Sequence, residues 1–101
     1  MAVAEISIVP IGTRTTSVSK HVAAALKVLR KEKKVVYELT PMGTILEGEL
    51  DDVFRAARKM HDAVLAAGAR RAVTTIKIDD RRDKLLTMSG KVESVVRQLQ
   101  R

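Results

Sequence analysis

The chain has 101 residues, 46% of them apolar, with one Tyr, one Phe, no Trp, no Cys and a formal net charge of +7. A domain of that length hides roughly two-thirds of the surface its unfolded chain exposes, which allows one core, here necessarily built from aliphatic side chains and Ala. Lack of cysteine excludes disulfides, iron–sulfur ligation and thiol chemistry, and with no secretory pattern and apolar runs too short to cross a bilayer, a cytoplasmic protein without a membrane partner is expected.

The first element is a strand. From Val3 to Val9 the residues alternate, with Ala4, Ile6 and Ile8 on one side and Glu5 and Ser7 on the other, as a half-buried strand requires. Pro10 and Gly12 are expected to end it. The hydroxyl-rich stretch Thr13 to Ser17 offers N-caps to a helix whose apolar positions are Val18, Val22, Ala25, Leu26 and Leu29. Lys27, Arg30, Lys31, Lys33 and Lys34 crowd its end, where cations complement the helix dipole. Lys34 to Leu39 reads as a second strand, Pro41-Met42-Gly43 as a turn, and Thr44 to Glu49 as the returning third strand.

Asp51 and Asp52 provide a cap and favourable charge for a second helix, with Val53, Phe54, Ala57, Met60, Val64 and Leu65 on its apolar side and Gly68 at its close. Arg71 to Asp79 is the fourth strand, with Ala72, Thr74, Ile76 and Ile78 on one face. After the charged loop to Lys84, a last helix starts near Thr87 and carries Met88, Val92, Val95, Val96 and Leu99; Gly90 should weaken its first turn. The order βαββαβ plus a C-terminal helix predicts one α+β domain over residues 1–101, of the ferredoxin-like kind. Two helices lie on one face of a four-stranded antiparallel sheet. The other face is left bare, occupied by Val3, Glu5, Ser7, Val9, Glu38, Glu47, Val73, Thr75 and Lys77.

Catalytic equipment is hard to assemble from these residues. His21 and His61 sit in different helices with no companion at metal-ligand spacing, and no Ser-His-Asp set suggests itself. Asp51/Asp52 and Asp79/Asp80 are better read as a cap and a loop than as general acid–base pairs. Two loops hold more promise. Pro10-Ile11-Gly12-Thr13 leads into the first helix, where free backbone N–H groups can hold an anion or a polar ligand edge, although a plain strand-to-helix turn explains it too. The hairpin from Thr40 to Gly48 brings Met42, Gly43 and Thr44 near Glu47, a carboxylate flanked on its strand by apolar residues and in need of a partner.

Four segments in order, Ile8-Val9-Pro10-Ile11-Gly12-Thr13 with Ser17-Val18-Ser19, Pro41-Met42-Gly43-Thr44 with Glu47-Gly48-Glu49, Ile76-Lys77-Ile78-Asp79-Asp80-Arg81, and Lys91-Val92-Glu93-Ser94-Val95, run through nearly the whole chain. Together they resemble the small thiamine-binding protein family, long uncharacterised and related to the YkoF thiamine-binding proteins. The resemblance implies a non-catalytic subunit without a cofactor that binds thiamine or its hydroxymethylpyrimidine precursor. It also implies a homo-dimer or homo-tetramer formed through the sheets; the bare face is itself suited to association by sheet faces or edges, and the C-terminal helix to clasping a neighbour. Carried onto this sequence, the ligand contacts are Gly12 and Thr13, then Met42, Gly43 and Thr44, then Glu47, whose carboxylate suits an aminopyrimidine N–H or the thiazolium charge. Alternatives are a regulatory oligomerisation domain, an RNA-binding domain and an enzyme on thiamine precursors. RNA-recognition domains of this fold stack bases on sheet aromatics, and the first and third strands contain none.

Overall fold

The computed structural model describes residues 1–101. Its elements run β1 (Ala2–Ile11), α1 (Ser19–Leu29), β2 (Val36–Thr40), β3 (Gly43–Gly48), α2 (Leu50–Ala66), β4 (Arg71–Asp80) and α3 (Met88–Leu99). The strands form one antiparallel sheet in the order β2-β3-β1-β4. This is the expected ferredoxin-like arrangement, with α1 and α2 on one face.

Pleat parity sorts the side chains. Ala4, Ile6 and Leu46 face the helices and are almost wholly buried, packed with Ala25 and Leu29 of α1 and Val53, Ala56, Ala57, Met60 and Val64 of α2. Small alanines on both helices let them approach the sheet closely, while the branched side chains fill the space between. Glu32, after α1, forms ion pairs with Lys59 and Arg55 of α2 and is itself mostly shielded. It thereby ties the loop into β2 onto the second helix.

The opposite sheet face is open, as the alternation predicts. The pairing lines up Val36, Glu47, Val3 and Asp79 in one row and Glu38, Ile45, Glu5 and Lys77 in the next. α3 is held to the body by an ion pair from Lys91 to Asp79 of β4, but no residue of it is buried, and Val92, Val95, Val96 and Leu99 are 64%, 60%, 43% and 78% exposed.

Four local expectations need correction. Asp51 and Asp52 lie in the first turn of α2 and do not cap it: the N-cap is Glu49, without a side-chain cap bond, and Asp52 accepts from Arg55. Pro10 does not end β1, which continues to Ile11 opposite Arg71. Pairing with β3 stops at Ile6, so beyond that point β1 has a neighbour on one side only, and a proline keeps its place by turning its nitrogen to the vacant side. The hydroxyls of Thr13 to Ser17 do not cap α1. Thr13 donates to the Thr15 carbonyl, Thr15 accepts from the Ser17 amide, and the N-cap position falls to Val18. Gly90 is not a weak point in α3 either. A Cβ there would stand 2.8 Å from the Thr87 hydroxyl oxygen, the atom that accepts the Gly90 amide at 3.0 Å and caps the helix. Glycine is what the cap needs.

The loop after β4 contains a pH-sensitive contact. Arg81 donates to both oxygens of Asp83 at 2.5 and 2.8 Å, and this hydrogen bonding, ahead of simple charge attraction, lowers the Asp83 carboxyl from 3.8 to about 2. The folded chain therefore takes up that proton later than the unfolded one. The contact's contribution to stability is complete above pH 4 and disappears as the pH falls towards 2. Carbon NMR titration should place the Asp83 midpoint near 2, and Arg81→Gln should return it close to 3.8; equal midpoints in the two proteins would rule this origin out.

Candidate functional site

The early end of the β3–β1 pairing leaves a gap in the sheet, because β1 runs on for five residues past Ile6 while the hairpin turns back at Gly43. The gap is the floor of a cleft of about 410 Å³. Ile6, Ser7, Ile8 and Val9 of β1 line one side, and the hairpin from Leu39 to Thr44 lines another. Val18, Val22 and Ala25 close it from α1, with Met60 and Val64 of α2 behind. Its size is in the range of small-molecule sites, and its lining is apolar apart from a few polar groups, the pattern such sites share.

The hairpin is held in shape locally. The Thr40 hydroxyl donates to the Gly43 carbonyl at 2.7 Å and accepts from the Gly43 amide at 3.2 Å. Opposite it, Thr44 is 5% exposed and faces inward beside Ile6 and Leu39. Its hydroxyl joins no hydrogen bond within the chain and is not sealed from the cleft. Met42 at the tip is 84% exposed, a flexible thioether able to fold over a flat ring. No ionisable side chain lines the cleft.

The six residues selected from the sequence do not form one site in a single chain. Met42, Gly43 and Thr44 come together at the cleft. Gly12 and Thr13 line a different depression, between the start of α1 and the end of α2. Glu47 stands on the open sheet face between Val36 and Val3, since a separation of three along a strand turns it away from Thr44. Glu5, Glu38 and Glu47 give this open face an acidic character that Lys77, opposite Glu5, offsets only in part.

The sequence reading missed Val18 and Val22 as lining residues. Both read as core-facing positions of α1, yet they sit past the end of β3 and look into the gap. His61, on α2, bonds through Nδ1 to the Thr74 hydroxyl at 2.6 Å and is thus occupied in joining helix to sheet. His21, on α1, is 7% exposed, and its Nδ1 is sealed with no partner.

The family model described as thiamine-binding protein matches residues 4–96. The chain belongs to the thiamine-binding protein family. Among its relatives, the UPF0045 protein YqgV of Bacillus subtilis is 48% identical, with 99% of each chain covered. The crystal structure of the hypothetical protein MJ1052 of Methanocaldococcus jannaschii superposes with a TM-score of 0.85 at 40% identity, over 93% of this chain and 94% of the other. A Thermotoga maritima structure named as a candidate thiamine biosynthesis/salvage protein gives 0.77 at 20% identity, over 93% and 97%, and at that distance the likeness concerns the fold. Membership in the thiamine-binding protein family bears out the resemblance read from the four segments, and the solved neighbours share the ferredoxin-like fold. No helix is long and apolar enough to cross a membrane.

Proposed function

We propose that this chain binds thiamine, or the hydroxymethylpyrimidine that forms half of it, without transforming it, as a cytoplasmic carrier, buffer or sensor. The observation that carries this reading is the apolar cleft beneath the hairpin, in a chain of the thiamine-binding family. A pyrimidine ring is flat and neutral, as a lining without charge requires. The free Thr44 hydroxyl can pair with a ring nitrogen or amino group, and Met42 can cover the ring face. In thiamine the cationic thiazolium would stay at the mouth, in water. A cleft with hydroxyls but no ionisable side chain to serve as acid or base favours binding over catalysis.

Calorimetry with hydroxymethylpyrimidine and with thiamine tests the proposal. The wild type should bind both; Val22→Trp, which fills the cleft from α1, should weaken binding at least about tenfold. Thr44→Val, removing one hydrogen bond worth about 1 kcal/mol, should weaken it about fivefold. A folded wild-type protein that gives no heat with either compound, or unchanged affinity in Val22→Trp, overturns the assignment. Glu47 is a separate proposal on the open face: Glu47→Gln should weaken thiamine binding if that carboxylate meets the thiazolium of a ligand shared between subunits, and an unchanged affinity removes it from the site.

A second reading, as a homo-dimer or homo-tetramer whose assembly a small ligand adjusts, is favoured by the bare apolar stripe of α3 and by the open sheet face. Mass measurement with and without hydroxymethylpyrimidine separates a ligand that shifts assembly from one that is simply held.

A further inference from the structure

The two places where the chain passes between sheet and helices at one end of the molecule, from β1 into α1 and from α2 into β4, lie side by side. Between them is a depression of about 690 Å³. Gly12, with φ +81°, shapes one wall and Gly68, with φ +117°, the other. Arg14, Lys20 and Arg70 line it, and no acidic side chain does.

None of these three cations is neutralised by an acid of the chain. Arg55, Arg58, Lys59, Arg81, Arg82 and Lys91 each pair with an acid, whereas Arg14, Lys20 and Arg70 form no ion pair. α1 begins at this depression with no side-chain cap and no acid in its first turn, in contrast to α2, which has Asp51 and Asp52 there. Its N-terminal amides thus add to the positive field. Lastly, His21 lines the depression from the first turn of α1. It is 7% exposed, and its sealed Nδ1 is the one buried side-chain nitrogen or oxygen in the molecule without a hydrogen-bond partner. A buried polar atom left unpaired destabilises the fold unless it has another use.

We propose that this depression is a binding site for a phosphate-class oxyanion, gripped by Arg14, Arg70 and Lys20 and backed by His21. Guanidinium forks match tetrahedral oxyanions through paired N–H donors, and Lys20 contributes a point charge. The site shares no residue with the hairpin cleft, so it does not depend on what that cleft holds. It gives Gly12 and Thr13 a setting different from ring recognition.

The probe is inorganic phosphate. Titrated into the wild type at constant ionic strength, with chloride as the balancing ion, it should raise the unfolding temperature by a few degrees and shift the His21 ring resonances in the NMR spectrum. The double variant Arg14→Gln/Arg70→Gln alters exposed side chains and should keep its fold while losing at least tenfold in phosphate affinity; Lys20→Gln should lose severalfold. A control with the same loss of charge, Lys31→Gln/Lys33→Gln, lies outside the depression and should bind as the wild type does. The proposal is overturned if phosphate acts no differently from chloride, if the control loses as much affinity as the double variant, or if the His21 resonances do not respond while phosphate binds.

Discussion

On the proposed assembly through α3, charge introduced into its apolar stripe, as Val92→Glu with Val96→Glu, is expected to leave a folded monomer. A 12-residue helix with no buried residue has little to hold it in water, since isolated helices of that length are marginal and depend on packing. Its Val92, Val95, Val96 and Leu99 are all exposed, and burying each against another copy is worth roughly 1.5–3 kcal/mol. Two glutamates remove that gain and oppose any close apolar contact. The sheet domain keeps its own core, so circular dichroism should register a partial loss of helix and retained sheet. Light scattering decides the matter: an unchanged mass would show that α3 contributes nothing to assembly, and a wild-type monomer would end the assembly reading altogether.

Leu46→Ala should be the most damaging single truncation of the body. Leu46 is fully buried on β3, between Ala4 of β1 and Tyr37 of β2 in the register, and lies in the cluster with Val53, Met60 and Val64 of α2. Removing its branched end leaves a cavity that neighbouring alanines cannot fill, at a cost of about 2–5 kcal/mol. Against a total stability of about 5–15 kcal/mol for a domain of this kind, that is a large share. Urea denaturation should show the midpoint falling with an unchanged slope. A loss below about 1 kcal/mol would mean that the core relaxes around the gap far more than its packing suggests.

Much of this architecture could be read from periodicity. The alternation of Ala4, Ile6 and Ile8 and of Ala72, Thr74, Ile76 and Ile78 fixes which face of each strand is covered, and the apolar positions of α2 place it on that face. Parity also held information that a focus on neighbouring hairpin residues passed over: Thr44 and Glu47 differ by an odd number and cannot share a face of one strand. The cleft was illegible for a different reason. It exists because the β3 pairing stops at Ile6 while β1 continues, and the relative reach of two strands is a matter of register, set by long-range pairing and not by either sequence segment. Val18 and Val22 have the same chemistry whether they meet a strand or a void. The hydroxyls of Thr13 to Ser17 showed a capping composition but bond among themselves, a local competition that composition does not decide. Nor could a sequence show that the Nδ1 of His21 ends up sealed and alone.

The stretch of β1 beyond Ile6 has a further consequence. A strand flank left without a neighbour is ordinarily an invitation to aggregation, because its free amides and carbonyls can template an incoming chain. Here that flank carries Pro10, which offers no amide to such an intruder, and the overhanging hairpin tip with Pro41 and Met42 crowds the approach. The molecule can therefore keep a strand's width of its sheet empty, as room for a small guest, without exposing a sticky edge to its own kind.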